Sequence, residues 1–255
     1  MSTSVPGAQS FARSIAVLQM IADAGDPPSR TELVRQSGLK RPTLYRIIAS
    51  LEAEGLIEAA GDNRYRIGGR VVSLARNALA QNDVRKIAEP YLTRLRDATG
   101  ETVHLAIRSG DVMVYIDKIE SEEAVRMTST IGTRIAFHST SVGKAFLSAM
   151  PSAEAKGLIE RIDLPAMTAF TTTERPTLLA SVRRARDNGY VRDDQENEAG
   201  IVCFGAAICE GPERPVASVS VSVPLFRLGD AWTYANPLLD AVAEISRRLG
   251  HIPPA

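Results

Sequence analysis

The sequence predicts an α+β protein that is divided into two domains of different architecture. Residues 8–68 combine short amphipathic helix patterns with one basic hairpin pattern, whereas residues 83–252 alternate strand and helix patterns. The 255 residues, 44% of them apolar, are enough to bury two modest hydrophobic cores. We therefore expect an N-terminal domain at 8–68, a linker helix within 69–82, and a C-terminal domain at 83–252 that contains an antiparallel sheet.

The N-terminal domain is expected to begin with a supporting helix, which ends before the glycine and prolines at 25–28. Ser29 and Glu32 have the spacing of a capping box, in which each side chain binds a free backbone amide at the start of a second, short helix. Gly38 permits the left-handed turn that ends this helix. The apolar positions of the supporting helix repeat at helical spacing and are expected to share one buried face: Phe11, Ile15, Leu18 and Ile21.

A third helix is expected to begin at Lys40, with Pro42 in its first turn. Leu44, Ile47 and Leu51 belong to its buried face, which leaves polar and basic residues on the opposite face. A hairpin follows over 56–67, with its turn at 61–63. Helix, short helix, tight turn, amphipathic helix and basic hairpin form the order of a winged helix-turn-helix, which binds DNA.

The DNA-binding candidates are polar or basic side chains of these elements that could reach phosphates or base edges. The alternative for this segment is a small helical subdomain with a solvated basic face. The candidates are Ser29, Lys40, Arg41, Thr43, Tyr45, Arg46, Arg64 and Arg66.

Charge is distributed in a way that agrees with a nucleic-acid-binding module at the N terminus. The chain has 30 basic and 30 acidic residues, but residues 1–80 contain ten basic and seven acidic side chains, which leaves +3 there and −3 in the remainder. The two cysteines, Cys203 and Cys209, have no paired spacing, and we recognise no secretory leader or apolar stretch of membrane-spanning length. We therefore expect a cytoplasmic protein without a membrane role.

The second domain is expected to alternate between helices and β-branched strand patterns. Gly68 and Gly69 separate the hairpin from the linker helix and from the second domain that follows it. Thr140 or Ser141 is suited to begin a helix, and Gly189 to end one. The expected helices are 71–79, 83–97, 140–150, 178–188 and 236–249, and the expected strands are 102–108, 111–119, 125–130, 200–209 and 214–223.

Several motifs, in the same order, make the sequence resemble the IclR family of bacterial transcription regulators over nearly its whole length. The N-terminal part of the resemblance is carried by residues 37–39, 43–46 and 64–68. The C-terminal motifs are Thr140-Ser141-Val142-Gly143-Lys144-Ala145-Phe146-Leu147, Gly189-Tyr190-Val191-Arg192-Asp193-Asp194, Gly200-Ile201-Val202-Cys203 and Ser218-Val219-Ser220-Val221-Ser222.

The resemblance implies a winged helix-turn-helix, a linker helix and a GAF-like effector-binding domain, assembled as a homodimer or homotetramer on a palindromic operator. It also implies an effector pocket on the C-terminal sheet. A helix that starts at Ser141 would favour a carboxylate, and Ser220 and Ser222, two apart in a strand, would offer hydroxyls on one side. The implied effector-binding residues are Met127, Ser141, Val142, Asp193, Cys203, Ser220 and Ser222.

Some of these residues have plainer interpretations, and the sequence departs from the family pattern in places. Cys203 could be an ordinary buried thiol, and the serine pair could bind the backbone. Gln195 stands where the family usually has an acid, Ala207 where proline is common and Val223 where glycine often precedes Pro224.

The expected function is that of a sequence-specific regulator, more specifically a repressor of a catabolic operon controlled by a small carboxylated metabolite. We expect no enzyme activity, catalytic residue, cofactor or metal. One alternative is a hydrolase that uses the Ser-x-x-Lys spacing of Ser141 and Lys144, but the partner motifs of such enzymes are missing from the sequence. The other is a ligand-binding module without DNA binding.

Overall fold

The computed structural model describes residues 8–80, 83–123 and 129–251, and the chain divides into two compact units at 1–81 and 82–255. The N-terminal unit contains four helices and a two-stranded antiparallel hairpin among its described residues. Its elements are α1 (Gln9–Asp23), α2 (Arg30–Ser37), α3 (Arg41–Ala53), β1 (Ile57–Ala59), β2 (Tyr65–Ile67) and α4 (Gly69–Ala80).

Both ends of α2 are set by local chemistry that the sequence predicted. The Ser29 hydroxyl accepts a hydrogen bond from the Glu32 amide at 3.3 Å, and the Glu32 carboxylate accepts one from the Ser29 amide at 2.7 Å. At the other end of α2, Gly38 adopts a φ of 64°, which glycine takes without a steric penalty. The predicted capping box and glycine turn are confirmed.

The core of the N-terminal unit lies between α1, α2, α3 and the hairpin, and Leu33 and Leu44 are completely buried in it. The prediction for α1 was partly wrong. Phe11 and Ile15 are 69% and 43% exposed. Ile21 is buried and Leu18 packs against the core as predicted, together with Val17, which was not predicted. Apolar residues at helical spacing therefore need not all face the core, and the spacing alone does not identify those that do.

The C-terminal unit is built around a six-stranded antiparallel sheet with the strand order β5-β4-β3-β8-β7-β6. Its strands are β3 (Thr102–Ser109), β4 (Val112–Ile119), β5 (Arg134–Ile135), β6 (Val191–Asp194), β7 (Ile201–Gly211) and β8 (Arg214–Pro224). Its helices are α5 (Asp83–Thr99), α6 (Ser141–Ala149), α7 (Ser152–Arg161), α8 (Arg175–Asn188), a short 3-10 helix (Leu225–Arg227) and α9 (Trp232–Arg248).

The two faces of β8 differ because its serines and valines alternate. Phe204 pairs in register with Val221 and stacks on Tyr234 of α9 at 5.2 Å, so α9 covers the apolar face. On the other face Gly205 pairs with Ser220, and a side chain at position 205 would collide with the backbone of Ser141. The start of α6 therefore packs directly against the serine-bearing face of the sheet.

The α+β fold and the antiparallel sheet are confirmed, but several element predictions were wrong. Neither α7 nor β6 was predicted. The strand predicted at 125–130 falls mostly outside the described residues, and its last two positions are not in a strand. α9 begins four residues earlier than predicted and contains Pro237, a residue type that usually ends or kinks a helix.

Candidate DNA-binding surface and effector cavity

The first candidate site is the exposed face of α3 in the N-terminal unit. Burial of Leu44, Ile47, Ile48 and Leu51 fixes the orientation of this helix. Arg41, Tyr45 and Arg46 consequently lie on its exposed side, and Thr43 is half-buried. Lys40 caps the N-terminus, where free amides and the helix dipole favour a phosphate.

Arg30 is a part of this surface that sequence reasoning missed. Its guanidinium lies between two aromatic rings, 5.5 Å from the centroid of Tyr45 and 5.4 Å from that of Tyr65. Its Nε also donates to the Tyr65 hydroxyl at 2.6 Å. Cation–π contacts of this kind hold a planar group in place, so Arg30 links Tyr45 of α3 to the start of α2 and to Tyr65 of the hairpin. Tyr65 lies 35 positions further along the chain, and no local pattern joins the two residues.

The basic residues of the hairpin already have partners within the unit. Arg64 donates to the carbonyl of Pro27 at 2.7 Å, and Arg66 pairs with Glu58 at 2.7 Å. Both arginine side chains stay largely exposed, at 45% and 63%. Exposed ion pairs contribute little, about 0–1 kcal/mol, so phosphate can compete for these guanidinium groups. The hydroxyl of Ser29 is engaged in the capping box.

The second candidate site is a cavity of about 250 Å³ on the serine-bearing side of the C-terminal sheet. Asp193, Cys203 and Ser222 are direct cross-strand partners on β6, β7 and β8, which brings their side chains to one side. The cavity is lined by His104, Tyr115, Ser129, Thr133, Ile135, Asp193, Asn197, Glu198, Ile201, Cys203 and Ser222.

His104 lines the cavity but was not among the effector-binding residues predicted from the sequence. Its side chain is buried and stacks on Tyr115 with the ring centroids 4.6 Å apart. Nε2 lies 2.7 Å from the Ser129 hydroxyl, and Nδ1 lies 3.4 Å from the Ser222 hydroxyl, which also accepts from the Cys203 thiol at 3.3 Å. Burial lowers the pKa of His104 to about 3. The imidazole is therefore neutral at physiological pH.

Asp193 carries the ionisable group of the cavity that titrates near neutrality. Burial raises the pKa of its carboxyl to about 7, although the hydrogen bond from the Glu196 amide and the charge of Lys144 act in the opposite direction. Burial also raises the pKa of the Cys203 thiol well above its usual range, so this thiol stays protonated. No lysine or arginine is found among the described residues that line the cavity.

The remaining predicted effector residues lie beside the cavity or outside the described chain. Ser141, Val142 and Ser220 are buried but are not part of the described lining. The reason is the close approach at Gly205, which seats the start of α6 on the sheet. Met127 lies outside the described residues. The roles of all four residues stay predictions.

Comparison with known families identifies the chain. The pattern described as "IclR helix-turn-helix domain" matches residues 10–61, and "Bacterial transcriptional regulator IclR C-terminal" matches residues 76–247. The chain belongs to the IclR family of bacterial transcriptional regulators. The resemblance stated from the motifs, and the regulatory function that it implied, are confirmed.

Similar proteins cover the IclR-family chain almost from end to end. HTH-type transcriptional regulator XynR of Escherichia coli (strain K12) is 30% identical over 250 residues, which are 97% of this chain and 99% of XynR. HTH-type transcriptional repressor AllR of Salmonella typhi is 32% identical over 255 residues, which are 99% of this chain and 94% of AllR.

Solved structures agree with the fold. The crystal structure of the Thermotoga maritima IclR superposes with a TM-score of 0.74 at 30% identity, and covers 94% of this chain and 98% of that one. An IclR homolog from Microbacterium hydrocarbonoxydans, complexed with 4-hydroxybenzoate, superposes with a TM-score of 0.78 at 22% identity over 94% of this chain and 99% of that one. At 22% identity, the similarity to the Microbacterium protein shows a shared fold only.

The Ser-x-x-Lys spacing, which suggested a hydrolase, contains a lysine that is already paired in this IclR-family chain. Lys144 is 1% exposed and its ammonium pairs with Glu196, rather than standing at an open site beside Ser141. Within residues 8–80, 83–123 and 129–251, no three His, Cys, Asp or Glu side chains are grouped as metal ligands, and no helix is long and apolar enough to cross a bilayer.

Proposed function

We propose that this IclR-family regulator is a cytoplasmic homodimeric or homotetrameric repressor of a catabolic operon, released or retained on a palindromic operator by a small organic acid. The observation that carries the effector assignment is the cavity on the C-terminal sheet, which is lined by several hydroxyl, amide and carboxyl side chains. The relatives named AllR are called repressors, and a protein of the same fold was crystallised with 4-hydroxybenzoate. Regulation, rather than hydrolysis, is also supported by the pairing of Lys144 with Glu196.

The DNA contacts that we propose follow from the exposed face of α3. Thr43, Tyr45 and Arg46 are the candidates for base edges, and Lys40 and Arg41 at the helix start are the candidates for phosphates. Arg64 and Arg66 of the hairpin would reach phosphates or the minor groove. Two-fold symmetry of a dimer would present two α3 helices to the two halves of a palindrome. Ser29 contributes by fixing the entry of α2.

The effector that we propose is small and is bound by the hydroxyl, amide and protonated carboxyl groups of the lining rather than by its second acidic residue, Glu198. A cavity of about 250 Å³ lies below the 300–1,000 Å³ typical of drug-sized ligands. Because no cation lines its described part, the acid's carboxylate would be bound by hydroxyl donors and by the protonated carboxyl of Asp193. Affinity for such an anion should therefore fall as pH rises above the Asp193 pKa of about 7.

Control of DNA binding requires that the effector prefer one arrangement of the assembled regulator over another. We propose that the linker within 69–82 transmits this preference to the DNA-binding domains, altering the spacing between half-sites. The two units could then stay internally unchanged while their relative placement shifts.

The first test is fluorescence anisotropy of the full-length protein with its own upstream DNA, across a salt series and with nonspecific DNA as competitor. Specific binding that weakens steeply with salt is expected. A panel of 4-hydroxybenzoate, gluconate and lactate is then titrated against the complex. DNA binding without preference for any sequence would contradict the regulator assignment, and a panel without effect at pH 6 would contradict the organic-acid assignment.

The recognition face is tested with Arg46→Ala. Arg247→Ala is the matched control, since Arg247 is an exposed arginine of the C-terminal unit that pairs with Glu244. We expect Arg46→Ala to weaken operator binding or broaden its sequence preference, by about 1–3 kcal/mol if the guanidinium contacts a base, and the control to behave as wild type. Unchanged operator selectivity in Arg46→Ala would remove Arg46 from the set of base contacts.

A further inference from the structure

A buried ion pair joins α6 to the segment 193–198, three of whose residues line the cavity: Asp193, Asn197 and Glu198. Lys144 of α6 is 1% exposed, and its ammonium pairs with Oε1 of Glu196, which is 9% exposed. Neither member of the pair belongs to the described cavity lining. Two charges withdrawn from water are costly unless they are paired and hydrogen-bonded, so the surroundings must hold this pair in a defined geometry.

Glu196 connects three separate parts of the C-terminal unit. Its second carboxylate oxygen accepts from the Thr172 amide at 3.0 Å, and its carbonyl accepts from the Thr171 hydroxyl at 2.6 Å. Its amide donates to Oδ1 of Asp193 at 2.8 Å. One side chain and its backbone therefore join α6, the loop before α8, and the end of β6 where the cavity begins.

Both neighbours of Glu196 are held by contacts from elsewhere in the unit, and one of them, Gln195, has an unfavourable backbone conformation. Gln195 has a φ of 61°, in the left-handed region that residues other than glycine rarely occupy. Its carbonyl accepts from the Thr168 hydroxyl at 2.7 Å. Asn197 is anchored from the other side, since its Oδ1 accepts from the Ser139 hydroxyl at 3.3 Å. Such a conformation persists only where surrounding contacts impose it.

We propose that Lys144, acting through Glu196, positions Asp193 and Asn197 for the effector, so that the buried pair sets the affinity of the cavity without touching the ligand. Lys144 is thus a positioning residue of the effector site, and its partner orients both cavity residues through the backbone on which they lie. This inference rests on the proposed function of the cavity. It assigns to the Ser-x-x-Lys spacing a role in ligand affinity rather than in catalysis.

The test uses the full-length protein with the double variant Lys144→Met plus Glu196→Gln. This variant removes both charges together and leaves neither of them buried without a partner. Lys156→Met plus Glu160→Gln is the matched control, because it makes the same substitutions in a pair on α7 whose side chains are 64% and 61% exposed, 3.8 Å apart. Should the double variant fail to fold, Glu196→Asp takes its place under the same criteria, because it keeps both charges while withdrawing the carboxylate from Lys144 and from the Thr172 amide.

Hydrogen exchange and amide NMR shifts give a readout that needs no ligand. We expect at least ten-fold faster exchange at the amides of Glu196 and Thr172 in the double variant, and an upfield shift of the Glu196 amide proton as its bond to Asp193 is lost. The β7–β8 amides should keep their protection, and the control should match wild type. Unchanged exchange and shift at Glu196 would overturn the proposal.

Ligand affinity gives the second readout, measured by calorimetry for each panel acid that binds the wild-type protein. We expect at least a ten-fold loss of affinity in the double variant and none in the control. A loosened segment with unchanged affinity would overturn the positioning role. If no panel acid binds the wild-type protein, the effector assignment of the preceding section fails, whereas exchange and the amide shift still decide whether the pair holds the segment.

Discussion

A single methyl group added at Gly205 should separate α6 from the sheet. A Cβ there would lie 2.6 Å from both C and O of Ser141, and 2.8 Å from its Cβ. Ordinary contacts begin near 3.4 Å, so the two backbones must move apart by about 0.8 Å. Two of the three contacted atoms are backbone atoms, which cannot rotate away as a flexible side chain would.

Gly205→Ala is therefore expected to destabilise the C-terminal unit by about 2–3 kcal/mol, the upper part of the range for overpacking a core. For a unit of this size, each kcal/mol corresponds to about 2–4 °C, which predicts a melting temperature lowered by about 4–12 °C. Differential scanning calorimetry of the full-length protein measures this shift. Affinity for the panel acids should fall as well, because the start of α6 lies beside the cavity.

Gly157→Ala is the matched control for this prediction. Gly157 is an exposed position within α7, and a Cβ there would meet no atom within 4 Å. The same substitution should stabilise this helix by about 0.5–1 kcal/mol and raise the melting temperature by about 1–4 °C. Opposite signs are the expected result. A Gly205→Ala protein as stable as wild type would refute the argument that close backbone approach seats α6 on the sheet.

Three further predictions concern individual residues. Ser29→Ala should destabilise the N-terminal unit by about 1 kcal/mol in urea unfolding, because the Glu32 amide loses its acceptor; an unchanged midpoint would show that the cap contributes nothing. Arg30→Ala should weaken operator binding in anisotropy by releasing Tyr45, and wild-type affinity would remove Arg30 from the surface. Relative to wild type, Asp193→Asn should gain stability as pH rises from 4 to 7, by at most about 4 kcal/mol, and this difference should level off above pH 7. A raised folded-state pKa means that ionisation costs stability over this interval, so a stability difference that does not change with pH would contradict the buried carboxyl.

The sequence by itself determined the elements whose causes lie within a few residues. The capping box of Ser29 and Glu32, the turn at Gly38 and the buried stripe of α3 depend on neighbours three or four positions away, and these predictions are confirmed. The family, the α+β class and the regulatory function also followed from the sequence, because the motifs occur in order along the chain. These motifs also indicated the region of the cavity, since Asp193, Cys203 and Ser222 all line it.

Only the tertiary structure decided which distant side chains meet. His104 and Ser222 are 118 positions apart and come together because β3 pairs with β8, and Lys144 meets Glu196 across 52 positions. Arg30 reaches Tyr65 across 35 positions in the same way. The pairing of strands and the seating of helices arise from burial summed over the whole unit, which no local spacing encodes. For the same reason the sequence could not show that Phe11 and Ile15 of α1 are exposed, whereas Leu18 and Ile21 of the same predicted face pack against the core.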